Sequence, residues 1–134
     1  PKIVAVPVSR QNAYFCRPQW GTGNSTKNSE FLAMGLITFL SDFGYRDHYV
    51  AAVKARILQL APTVPVLDIS HGIEPFNIAH AVHVLASVYQ DFPAGTVHIV
   101  GVNDLGAPRA AWLAAVFRGH YFVSADNGLL PLLC

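Results

Sequence analysis

Three short polar clusters in this sequence stand where chemistry can be done. Ser41-Asp42-Phe43-Gly44 ends one apolar run, Asp68-Ile69-Ser70-His71 ends a second, and Val102-Asn103-Asp104 ends a third. Asp42 is the most informative. One carboxylate accepts two hydroxyl protons at once, which suits a vicinal diol such as that of a ribose. Gly44 lets a ligand come close to the backbone. Asp42 also reads as a turn residue that accepts local amides. Asp47 reads first as a helix N-cap. Phe76, between Pro75 and Asn77, is either a staple at a helix entry or a wall beside a sugar or base. Asp68 and His71 form a hydrogen-bonded pair or a structural turn. His80 and His83 share one helix face, but no third ligand accompanies them, so no metal site is expected.

These clusters need elements to hold them. Leu36–Ser41 is a short run of strand formers. Asp47 precedes a predicted helix over 48–60, where Val50, Val53, Ile57 and Leu60 recur at helical spacing and Pro62 marks the stop. A second strand spans Val64–Ile69, starting after Pro65. Asn77 caps a second helix whose stripe is Ile78, Ala81, Val82, Leu85, Val88 and Tyr89. Further strands are predicted at Thr96–Val102, Ala111–Phe117 and His120–Ser124, and Asp126-Asn127-Gly128 is a tight-turn signal. Strands alternating with helices of this length imply an α/β domain, Rossmann-like and three-layered, with a largely parallel sheet. In such sheets ligands bind beyond the carboxyl ends of the strands, where the three clusters lie.

The chain has 134 residues, 52% hydrophobic and 13% charged, enough for one domain with a real core. A formal charge of +1 gives no reason to expect a nucleic-acid partner. Apolar runs are too short to predict a membrane span. Cys16 and Cys134 lie near opposite ends, and no segment reads as a secretory signal, so a reduced, cytoplasmic setting is expected. Residues 1–33 include the aperiodic stretch Gly21–Ser29, and Met34 directly precedes the first clear strand. We therefore expect 1–33 to be a non-native or disordered extension and 34–134 to be the domain. The terminal apolar run Leu129-Leu130-Pro131-Leu132-Leu133-Cys134 reads as a domain cut short at its C-terminal end, awaiting more protein to pack on. The tripeptide Asp42-Phe43-Gly44 also occurs in protein kinases, but the catalytic loop that precedes it there is absent.

Four ordered blocks carry a more specific likeness. They are Ile37–Gly44 with Asp47, Tyr49-Val50 and Lys54; Asp68–His71 with Pro75–Ile78; Phe92–His98; and Tyr121–Leu130. Over about 36–133 the chain resembles the S-adenosyl-L-methionine hydroxide adenosyltransferases, relatives of the fluorinases and chlorinases. The resemblance implies an α/β adenosyl-binding domain followed by a β-barrel domain that this chain lacks. It also implies a homotrimer with each site between one subunit's first domain and a neighbour's second. The implied reaction is attack of water or hydroxide on ribose C5′ of S-adenosyl-L-methionine, releasing adenosine and methionine with no cofactor and no metal.

By position, the resemblance gives Asp42 the ribose hydroxyls, Asp47 the methionine amino group, Tyr49 the methionine end and Phe76 the pocket wall beside the ribose. It puts Asn103 at the nucleophile. The family pattern after the third strand is Asp-Pro-Gly-Val-Gly-Thr, one variable residue, then Arg. Here the segment reads Val102-Asn103-Asp104-Leu105-Gly106-Ala107-Pro108-Arg109. Asn103 stands where the water-orienting aspartate is expected, and Arg109 is the candidate for the arginine. Asparagine can hydrogen-bond water but cannot act as an anion or base. Strand alternation would turn Asp104 to the opposite face. Three readings follow: a divergent hydrolase, which is favoured; a non-catalytic adenosyl-binding module; and a halide-using transferase.

Overall fold

The computed structural model describes residues 6–8, 35–104 and 112–133. Its elements are β1 (Val6–Val8), β2 (Ile37–Ser41), α1 (Tyr49–Leu60), β3 (Val66–Ser70), α2 (Ile78–Val88), β4 (Val97–Gly101), β5 (Trp112–Phe117), β6 (His120–Ala125) and α3 (Leu129–Leu133). One six-stranded sheet runs in the order β1-β5-β6-β4-β2-β3. β3, β2, β4 and β6 are mutually parallel, and helical crossovers through α1 and α2 join β2, β3 and β4. β5 is antiparallel to β6 because only Arg118 and Gly119 join them, too few for a crossover. Both turn residues have positive φ, 49° and 81°, the left-handed pair that fits a two-residue hairpin to twisted strands. β1 lies antiparallel on β5, so part of the 1–33 segment forms the sheet's edge.

β2 is an interior strand between β4 and β3, and Thr38 through Ser41 are all buried, which is why it reads as a continuous apolar run. On one face Leu40, Val100, Val102, Ala115 and Phe122 meet Ala81, Leu85 and Tyr89 from α2 and the turn after it. Within the apolar run at 129–133, Leu132 stays 66% exposed. Leu129 and Leu130 are buried in the same core as α2.

Asn77 caps α2 as expected, its Oδ1 accepting from His80 N at 2.9 Å. The expected cap of α1 is corrected. The first helical bond runs from Ala52 N to His48 O, so His48 is the N-cap, and its side chain makes no capping bond. The helix begins one residue too late for Asp47 to cap it. No residue of α1 is buried, and Leu58 and Leu60 remain 47% and 75% exposed.

Within the core, Thr38 Oγ1 lies 2.6 Å from His98 Nδ1, and His98 Nε2 lies 3.2 Å from His120 Nδ1. Burial, and then the nearby His120, lower the His98 pKa to about 4. This chain of polar groups sits at the start of β4, at the opposite end from the clusters singled out above.

Candidate active site

One crossover leaves β2 for the sheet's edge, and the next returns across it. The chain passes through α1 to β3 at the sheet's edge, then through α2 back across β2 to β4. The strand order therefore reverses between β2 and β4, and a crevice opens beyond their carboxyl ends. Asp42 follows β2 there, and Asn103 follows β4.

Asp42 Oδ2 accepts two backbone amides, from Phe76 N at 2.9 Å and from Asn103 N at 3.2 Å. Three of the sequence-predicted residues thus meet at one carboxylate oxygen, although 34 and 61 positions separate them from Asp42. Asp42 N also donates to Gly101 O, tying the end of β2 to β4. The turn reading and the ligand reading of Asp42 are compatible. Both protein bonds fall on one oxygen, and among the described residues Oδ1 has no bond.

The backbone here is held in costly conformations. Phe76 and Asn103 have φ of 64° and 52°, and Gly44 has φ of 75°. Left-handed geometry is cheap for glycine and tolerable for asparagine, but costs a phenylalanine roughly 1–2 kcal/mol. The two amide bonds to Asp42 hold that geometry, and such strain concentrates where a side chain must be presented to a ligand. Phe76 is 64% exposed, a large apolar ring set at the crevice rather than stapled into the core.

Asp47 and Tyr49 lie on the loop before α1 and on its first turn. Asp47 lines a groove of about 510 Å³ with Gly44, Tyr45, Lys54, Asp68 and His71. Tyr49 stacks on His48 with ring centroids 4.7 Å apart and meets the edge of Phe43 at 6.3 Å. Arg109 lies outside the described residues. Strand alternation does not govern Asp104, because β4 ends at Gly101. Burial, and then the charge of Asp42, raise its carboxyl pKa, which sets Asp104 within electrostatic reach of the site. Among the described residues no group of three or more His, Cys, Asp or Glu could hold a metal.

Two supports were not legible in the sequence. Asn127, read only as part of a turn signal, donates from Nδ2 to Val102 O at 2.7 Å and accepts from Leu129 N, pinning the end of β4 to α3. Ser41 Oγ lies 2.7 Å from His71 Nδ1, both buried, beneath the Asp42 loop. Each joins segments far apart in the chain, which local patterning cannot show.

The comparisons agree with this geometry. Residues 37–134 match the model of the SAM hydroxide adenosyltransferase N-terminal domain. An (R)-S-adenosyl-L-methionine hydrolase of Methanocaldococcus jannaschii is 37% identical over 101 residues, covering 72% of this chain and 38% of that protein. A fluorinase of Actinopolyspora mzabensis is 32% identical over 69 residues, covering 52% of this chain and 23% of its own length. A crystal structure of a conserved Thermotoga maritima protein superposes with a TM-score of 0.65 at 42% identity, covering 70% of this chain and 36% of that one. The chain thus spans well under half of these relatives. With the strand order, the crevice and the ordered blocks in accord, the chain belongs to the SAM hydroxide adenosyltransferase family and matches its N-terminal domain.

Proposed function

We propose that this domain supplies the adenosyl-binding half of an enzyme that hydrolyses S-adenosyl-L-methionine to adenosine and L-methionine. The observation that carries the reading is Asp42, whose Oδ2 is fixed by the Phe76 and Asn103 amides and whose Oδ1 faces no described protein partner. The ribose 2′ and 3′ hydroxyls donate to that carboxylate, and Phe76 forms the wall beside the sugar. Asp47 receives the methionine amino group, and Tyr49 lies near the methionine end. A water oxygen bonds to C5′ as the C5′–S bond breaks. The electron pair goes to sulfur, a sulfonium becomes a neutral thioether, and the water's proton leaves to solvent. The protein's work is then positioning and partial desolvation of the water. Asn103 and Arg109 act at that water, and neither a cofactor nor a metal takes part.

The whole enzyme works as a homotrimer in the cytoplasm, with S-adenosyl-L-methionine as its small-molecule partner and neither nucleic acid nor membrane involved. One observation favours a second reading, a binding module without turnover: Asn103 carries an amide where the family pattern has a carboxylate. Calorimetric titration with adenosine and with 3′-deoxyadenosine tests the site common to both readings. Adenosine should bind at least tenfold more tightly. Equal affinities would remove the diol from Asp42.

A further inference from the structure

Beneath the Asp42 loop a line of polar side chains runs from α1 to the end of β2. Lys54 Nζ donates to Asp68 Oδ2 at 2.9 Å, and Asp68 Oδ1 lies 3.2 Å from His71 Nε2. His71 Nδ1 lies 2.7 Å from Ser41 Oγ, which in turn accepts from Phe43 N at 3.4 Å. His71 grips the same loop twice more, since its carbonyl accepts from Gly44 N at 2.8 Å and its amide donates to the Tyr45 hydroxyl at 2.9 Å. The loop from Ser41 to Tyr45 is thus held at three points by one residue, with Asp42 in the middle.

Proton bookkeeping decides how the line is polarised. Ser41 and His71 are 0% and 2% exposed, so neither has water to fall back on. Burial pushes the Asp68 carboxyl up, but Lys54 and then His71 outweigh it and hold it below the usual range, so it is an anion. An anion 3.2 Å from Nε2 favours a proton there by charge alone, since Nε2 makes no hydrogen bond among the described residues. Nδ1 is then an acceptor, the Ser41 hydroxyl donates to it, and the Ser41 lone pairs stay free for the Phe43 amide. In the other tautomer Nδ1 donates to Ser41, and the buried hydroxyl proton loses this acceptor.

We propose that Lys54, Asp68, His71 and Ser41 form a tautomer-locked brace, in which His71 is a positioning residue that sets the Asp42 carboxylate for its ligand. The proposal rests on the adenosyl-binding reading of Asp42. The brace acts on Asp42 through the loop, so it shows in adenosine affinity rather than in contacts to the adenosyl group.

The test combines nitrogen NMR of the His71 ring with calorimetric adenosine binding, on the complete protein and on Asp68→Asn and Ser41→Ala. The native protein should show the ring protonated at Nε2 and not at Nδ1. Asp68→Asn should keep a dispersed, folded spectrum, shift the ring toward the Nδ1-protonated form and weaken adenosine binding three- to tenfold. Ser41→Ala should weaken binding similarly while leaving Nε2 protonated, an outcome that general unfolding would not give. A native ring protonated at Nδ1 overturns the lock. An altered tautomer with unchanged affinity overturns the positioning role. Failure of the underlying reading looks different: the ring is protonated at Nε2, and the native protein binds no adenosine.

Discussion

Asp42 has two jobs, and one substitution separates them. Asp42→Asn keeps an oxygen for the Phe76 and Asn103 amides but loses the charge and one acceptor face. Adenosine binding should weaken by about 1–3 kcal/mol, the scale of charge-assisted hydrogen bonds, with the fold intact. Unchanged affinity by calorimetry would take Asp42 out of the site. Phe76 offers a complementary prediction. Glycine adopts φ near 64° without strain, and the ring is mostly exposed. Phe76→Gly should therefore leave thermal stability unchanged or raise it by up to about 1 kcal/mol. The same variant should bind adenosine at least fivefold more weakly. A marked fall in Tm would show the ring to be structural. Asp42 was legible as a candidate from its place after a strand, and Phe76 from its place before a helix. That Asn103 shares their carboxylate was not, because the contact runs through backbone amides and not through side-chain type.

The elements were legible where the apolar period is strong and the connection long. β2, β3, β4 and α2 follow the expected spans within two residues. The sequence misled where a local signal had two owners. Asp47 is a good capping residue, but the first helical bond falls at His48, which leaves the Asp47 carboxylate for the groove. The β5–β6 hairpin shows a further limit: strand periodicity finds both strands, while their sense depends on the two-residue turn. Arg118, at φ 49°, is a poor residue for that turn, and Arg118→Asn should stabilise the domain by about 0.5–1 kcal/mol. Thermal melts would check this, and a loss would mean that the Arg118 stack on Phe117, 5.3 Å away, outweighs the turn.

The buried histidines predict an acid limit. His98 is fully buried and its pKa is depressed to about 4, so the unfolded chain binds a proton that the folded chain refuses. Its contribution is complete above pH about 6.5 and is lost as pH falls through 4, on the order of 3 kcal/mol in all. Denaturant midpoints between pH 7 and 4.5 should fall accordingly, and His98→Gln, though less stable, should show a flatter slope. Equal slopes would assign acid sensitivity elsewhere.

At the scale of the molecule, one sheet face is well closed among the described residues and the other is not. α2 and α3 seal the first. α1 buries no residue, and Leu58, Leu60, Leu67, Val116 and Tyr121 are all more than 40% exposed. Apolar surface of this extent predicts association, so the 134-residue chain alone should self-associate in sedimentation experiments and show no turnover. A stable, active monomer would contradict a site shared between subunits. The most direct measurement of the reaction is incubation of the complete protein with S-adenosyl-L-methionine, with and without halide, followed by separation of products. Adenosine and methionine should form in equal amounts, independent of halide. Absence of turnover in folded, adenosine-binding protein, or a strictly halide-dependent product, would contradict the proposed hydrolysis.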